Sequence, residues 1–124
     1  MRVDPLHDDG SHVAVLLVTG RMNGVEAKGL PAIVRDIVAK GIPNVAVNLG
    51  GVTAMTVAGL RHLIAARLIA FQRGGDLKLV NPPQQEEQEM SEEVILCLAV
   101  NFESFATNRA AIFSFEPPPA PLRV

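Results

Sequence analysis

The stretch Val45-Ala46-Val47-Asn48-Leu49-Gly50-Gly51-Val52-Thr53-Ala54-Met55-Thr56-Val57-Ala58-Gly59-Leu60 decides how this chain is read. Residues 44–49 alternate and are rich in valine, so they predict a core strand. Gly50-Gly51 is expected to release that strand into a loop. Gly59-Leu60 then opens an amphipathic helix carried by Leu60, Leu63, Ile64, Leu68 and Phe71 and stopped by Gly74-Gly75. A strand, loop and helix in this order put the loop at the carboxyl end of a sheet strand. Open α/β folds carry their functional surfaces there, and a helix N-terminus also favours negative charge.

The flanks extend this unit in both directions. Residues 13–18, Val-Ala-Val-Leu-Leu-Val, are apolar on both faces and too few for a helix, which predicts a buried central strand. Residues 2–6 are short and contain Pro5, which suits an edge strand paired through the turn Asp8-Asp9-Gly10-Ser11. Leu30, Ile33, Val34, Ile37 and Val38 recur at helical spacing, with Pro31 in the first turn and Gly41 as the stop. Leu77, Leu79 and Val80 form a further strand. The glutamate-rich residues 84–93 lead into an apolar helix at 94–98, with acids suited to its N-terminus. Residues 102–106 predict a last short strand, and Thr107 or Asn108 caps a terminal helix reaching about Phe115. The run Pro117-Pro118-Pro119-Ala120-Pro121 can be neither helix nor central strand. The expected fold is therefore α/β. It has a mixed, mainly parallel sheet of about five strands, an N-terminal antiparallel hairpin and about four helices. The domain spans 1–115, and 116–124 form an extended or disordered tail.

Composition narrows the function. A chain of 124 residues predicts one domain. The content, 48% apolar and 19% charged, is that of a globular protein. Net charge is −2, and with five Phe and no Trp or Tyr there is neither a basic footprint nor the stacking platforms of a nucleic-acid binder. The single Cys97 precludes an internal disulfide, and its apolar neighbours predict an inert buried thiol. No leader and no run of roughly 20 apolar residues is present, so membrane insertion is not expected and the cytoplasm is.

Catalytic and ligand motifs are scarce. His7, His12 and His62 have no partner at metal-ligand spacing and read as surface histidines. Glu86, Glu87, Glu89, Glu92 and Glu93 lack the spacing of a calcium loop and read as a solvated face. No nucleophile, base and orienting group can be assembled, so neither enzyme activity nor a metal or other cofactor is expected. The glycine pairs match no phosphate-loop motif. Nucleotide or small-anion binding at loop 50–59, ahead of a helix N-terminus, stays open.

Asn48-Leu49-Gly50-Gly51-Val52-Thr53 and Gly59-Leu60 resemble the STAS family, the domain of anti-sigma-factor antagonists. So do Gly20-x-x-Asn23 and Gly74-Gly75-x-Leu77-x-Leu79-Val80-Asn81-Pro82. The resemblance covers about residues 2–115. It implies a protein-binding regulator of bacterial type. In the family's switchable members a kinase partner phosphorylates the serine of an Asp-Ser-x-Gly motif. Here the corresponding residues are Thr56-Val57-Ala58-Gly59. Val57 has no hydroxyl to accept a phosphate. Thr56 and Thr53 are the neighbouring hydroxyls, and Thr56 reads as a helix cap more readily than as an acceptor.

The implied partner is a kinase-type anti-sigma factor or an ATPase-like protein, with self-association open. The alternative role is a structural subunit of a signalling scaffold or of an ABC-transporter complex. The expected docking residues are Thr53, Thr56, Val57, Ala58, Gly59, Arg61, His62, Ala65 and Ile69. Val57, Ala58, Ala65 and Ile69 would form an apolar strip edged by Arg61 and His62. That strip is expected to face away from a core face of Leu60, Ile64 and Phe71. Arg67 falls toward the apolar side and receives no role.

Overall fold

The computed structural model describes residues 1–6, 12–83 and 90–115. The turn at residues 8–11, His7, the glutamates at 86, 87 and 89 and the proline-rich tail lie outside the described residues. Five strands form one sheet: β1 (Arg2–Leu6), β2 (Val13–Met22), β3 (Asn44–Met55), β4 (Leu77–Val80) and β5 (Ser104–Phe105). Their spatial order equals their chain order. The first pair is antiparallel, with Pro5 opposite Leu16, and the others are parallel. The helices are α1 (Leu30–Ala39), α2 (Val57–Gln72), α3 (Glu92–Asn101) and α4 (Asn108–Ser114), and a 3₁₀ turn at Glu26–Gly29 precedes α1. This is the mixed five-stranded sheet with four helices that the sequence predicts.

Chain order in the sheet has a direct consequence. Parallel strands joined by right-handed crossovers that always step the same way must carry their helices on one face. Leu30, Val34 and Val38 of α1, Leu60, Leu63, Ala66 and Ala70 of α2, and Val94 and Leu98 of α3 therefore share one core. They meet Leu16, Val18, Val45, Val47, Leu49, Leu77 and Leu79 from the sheet. α4 crosses to the opposite face. There Ala111, Ile112 and Phe115 cover Val13, Val15, Ala46 and Val80.

Two features depart from expectation. β3 does not end at Gly50-Gly51 but runs on to Met55, and β2 runs past Val18 to Met22. The two strands stay paired through irregularities between Leu17 and Thr19 and between Gly20 and Arg21. Gly51 permits this, because a Cβ there would sit 2.5 Å from Thr19 Cγ2. A glycine inside a strand at a bulge marks such a close approach. β4 pairs with β3 only as far as Asn48. The ends of β2 and β3 thus project beyond the sheet as a two-stranded ledge.

The second departure is the face that α2 buries. Leu60 and Leu63 are buried as expected, and Ile64 is half-buried. Leu68 is 56% exposed and Phe71 49% exposed, and the residues lying on the sheet in their place are Gly59, Ala66 and Ala70. α2 is apolar around most of its circumference, so periodicity alone does not choose its face. Packing does, because small residues let the helix sit close to the sheet. Ile69 packs against the core.

Two cations tie the layers together. Arg67 Nε donates to Asp76 at 2.9 Å, Nη1 donates to the Asn101 carbonyl, and the guanidinium lies over the Phe71 ring. That is a specific role for a residue whose sequence position suggested none. Lys78 is nearly buried under α4. Its Nζ reaches Ser114 Oγ at 3.0 Å and Glu103 at 3.2 Å, and it lies 4.3 Å from the Phe115 ring centroid. A lysine in such a place is tolerable only because its charge is paired and hydrogen-bonded.

The helix caps follow the local rules. Thr56, Ser91 and Thr107 each accept from the backbone N–H three residues on. Thr107, not Asn108, caps α4, while Asn108 Oδ1 accepts from the buried Asn48 amide at 2.9 Å. Cys97 is half-buried rather than buried.

The face assignment of α2 is testable. Leu63→Ala should cost about 2–5 kcal/mol, since Leu63 is fully buried. Leu68→Ala should cost less than about 1 kcal/mol. Urea unfolding of the two variants measures the difference, and equal costs would contradict the packing.

Candidate functional site

The ledge carries the candidate site. β2 and β3 are parallel, so the loop after Met22 and the loop after Met55 leave the same edge of the sheet side by side. Thr56 N–H donates to the Met22 carbonyl at 3.1 Å, which joins the two loops directly. Thr56 then caps α2, its Oγ1 accepting from Gly59 N–H at 3.1 Å. The helix therefore begins at Val57, two residues before the glycine expected to open it.

Gly59 is the residue the approach demands. A Cβ at this position would lie 1.9 Å from the Met22 carbonyl oxygen. Gly24 is nearly as constrained, since its Cβ would meet Ala58 Cβ at 2.9 Å. Asn23 shapes the opposite loop. Its Oδ1 accepts from the backbone N–H of Val25 at 3.0 Å and of Glu26 at 2.8 Å. This is the turn-forming chemistry of a short side-chain carbonyl. His62 closes the arrangement from α2. Its Nε2 lies 2.9 Å from the Gly24 carbonyl oxygen. A carbonyl only accepts, so Nε2 carries the proton in this contact.

The expected docking residues divide into two groups. Thr53, Thr56, Val57, Ala58 and Arg61 are exposed around the start of α2, with Gly59 buried beneath them. His62, Ala65 and Ile69 are only half-exposed. His62 is held by the facing loop, and Ile69 packs into the core, so the predicted apolar strip does not run along the helix. It turns instead across the helix N-terminus toward Val25. That valine is 84% exposed on the neighbouring loop, and Val57 is the exposed first residue of α2. Sequence reading missed Val25. The available signal was Gly20-x-x-Asn23, which marks a loop at the end of a strand parallel to β3.

Between the loops lies a shallow cleft of about 220 Å³ lined by Arg21, Met22, Asn23, Ala54, Met55 and Thr56. It falls below the range of roughly 300–1,000 Å³ typical of small-molecule pockets. Gly50 and Gly51 lie within β3 and contribute no N–H groups to the start of α2. The glycine-loop cradle imagined for 50–59 is therefore not formed by them. Among the described residues, no three His, Cys, Asp or Glu side chains cluster as metal ligands. No described helix is long and apolar enough to cross a membrane. What remains is a surface of Val25, Val57 and Ala58 with Thr53, Thr56 and Arg61 beside them.

Comparison with known proteins places this geometry. The family model for the STAS domain matches residues 7–103. The fold is similar to that of the anti-sigma factor antagonist SpoIIAA in its unphosphorylated form. The TM-score is 0.68 at 14% identity, covering 91% of this chain and 96% of the other. SpoIIAA of Bacillus in its phosphorylated form gives 0.66 at 14% identity, covering 93% and 100%. An anti-sigma factor antagonist from Mycobacterium paratuberculosis gives 0.64 at 20% identity, covering 92% and 94%. No curated protein matches the chain by sequence.

The close seat of α2 predicts a sharp contrast between two glycines. Gly59→Ala should lose roughly 1–3 kcal/mol, as overpacking against a backbone carbonyl does. Gly29→Ala, whose Cβ would meet nothing within 4 Å, should stay within about 0.5 kcal/mol of the parent. Chemical denaturation of both variants checks this.

Proposed function

The chain belongs to the STAS domain family, and from that premise we propose that it is a non-enzymatic, cytoplasmic protein-binding module of the anti-sigma-factor-antagonist type. Its partner is a kinase-type anti-sigma factor or a related ATPase-like protein. The docking surface is built from Thr53, Thr56, Val57, Ala58 and Arg61, supported by Gly59 and His62 and extended by Val25.

One observation carries this reading. Val57 stands exposed at the first position of α2, beside Ala58. By the family resemblance, the acceptor serine of switchable members would stand at this position. A phosphate there would add about −1.5 to −2 charges to the surface and disfavour an apolar contact. A valine cannot carry one. The surface is thus always in its uncharged, binding-competent state, and its complex is regulated by some other means or is permanent. Thr56 Oγ1 is engaged as the α2 cap, which supports leaving it out as the acceptor. Thr53 is exposed in β3 but lies outside the turn.

The loss of the hydroxyl also favours a second role, that of a structural subunit in a standing assembly. Nucleotide or small-anion binding has less support, since the cleft is small and the glycines lie in a strand.

Affinity capture from the source organism, with mass spectrometry of what is bound, tests the proposal. The parent chain should retain a kinase-type protein. Val57→Glu, which sets a carboxylate where a phosphate would stand, should weaken that complex at least about tenfold. With Mg-ATP and the purified partner, the parent should remain unmodified and Val57→Ser should gain one phosphate. An unchanged partner set for Val57→Glu would overturn the docking surface. Stoichiometric phosphate on Thr53 or Thr56 would show that the switch persists. A large assembly indifferent to ATP would favour the structural role.

A further inference from the structure

We propose that a second copy of this chain docks on the outer face of α2 and α3, in a two-fold dimer with its helices parallel to those of the first copy. The surface lies on the flank of α2 that faces α3 and meets the ledge only at Arg61. Arg67 fixes which flank that is. Its guanidinium reaches the Asn101 carbonyl at the end of α3 and lies over the rings of Phe71 and Phe102. The side of α2 bearing Arg67 and Phe71 therefore faces α3. Leu68, 56% exposed and three residues before Phe71, lies on the outward part of that side. On α3, Leu96 and Val100 are one turn apart and both strongly exposed, Val100 by 74%. Ile64 and Cys97 lie half-buried between the two ridges and pack on the core. Leu68, Phe71, Leu96 and Val100 thus form one apolar surface spanning both helices, of the kind that marks an interaction site.

Charge selects the occupant. Arg61 stands at the start of α2, and Glu93 stands at the start of α3. Both are exposed, and among the described residues neither forms an ion pair within the chain. α2 follows β3 and α3 follows β4, and because β3, β4 and β5 are parallel both helices start at the same edge of the sheet, with Arg67 bridging them near their C-terminal ends. A two-fold axis parallel to the helices lays α2 of one copy over α3 of the other without reversing direction. Arg61 of each copy then meets Glu93 of the other, and Leu68 meets the stripe of Leu96 and Val100. Such self-complementarity is what an isologous interface requires.

Two helices side by side, each about 10 Å wide and about 15–24 Å long, offer on the order of 300–500 Å² per copy. Together that lies below the roughly 1,200 Å² of stable complexes, so the dimer is weak and concentration-dependent. Among the described residues the sheet edges suit strand pairing less well, since Pro5 interrupts the donors of β1 and β5 is two residues long.

Sedimentation equilibrium over a wide concentration range tests the proposal without any other partner present. The parent chain should move reversibly from monomer to dimer as concentration rises. Leu68→Glu and Val100→Glu, both at exposed positions, should stay folded by circular dichroism and remain monomeric. Arg61→Glu and Glu93→Arg should each weaken the dimer about tenfold, and the double exchange should restore it. A parent chain monomeric throughout would overturn the proposal. So would a dimer that survives Leu68→Glu and Val100→Glu, or a double exchange as weak as the single variants.

Discussion

The first turn of α2 rests on the end of β2, and the candidate site depends on how closely it does so. Met22 offers one carbonyl oxygen. Thr56 N–H donates to it, and Gly59 passes so near that no side chain fits. That contact sets where α2 begins. It brings the Asn23–Val25 loop against Ala58, and it aligns His62 with the Gly24 carbonyl. Were the helix to start farther out, Val57 and Val25 would belong to separate loops. The close approach sets Gly24 against Ala58, with Val25 and Val57 on either side of that contact.

The sheet supplies the support for that contact. Its strands follow one another in chain order, so three crossover helices crowd one face and bury a single large core. Among the described residues, only the short α4 covers the other face. It is held by the Asn48–Asn108 hydrogen bond and by Lys78, whose charge is shared among Ser114, Glu103 and the Phe115 ring. Polar anchoring of a seven-residue helix is reasonable, since so short a helix has little apolar area to bury.

The chain belongs to the STAS family and shares the fold of anti-sigma-factor antagonists. SpoIIAA is known in both unphosphorylated and phosphorylated forms. Here the first residue of the corresponding helix is a valine, and the nearest hydroxyl is engaged as a cap. The turn that opens α2 presents an apolar side chain.

Much of this was legible in the sequence. The valine-rich runs at 13–18 and 44–49 could be little other than core strands, because β-branched residues apolar on both faces suit a parallel sheet covered by helices. The stop signals at Gly41 and Gly74-Gly75, the cap at Thr107 and the valine at position 57 were readable for the same local reasons. Tertiary structure decided three things that local rules could not. Gly50-Gly51 reads as a strand end, yet the strand continues because its neighbour bulges to meet it. Leu68 and Phe71 read as core, yet α2 is apolar on nearly every side, and alanines let it approach the sheet more closely. Val25, in a loop without periodicity, reads as nothing. It becomes part of a surface only when two parallel strands end at one edge. Local sequence determines which residues can form a strand, cap a helix or carry a phosphate. Which of them meet is set by distances between elements, and those exist only after the chain has packed.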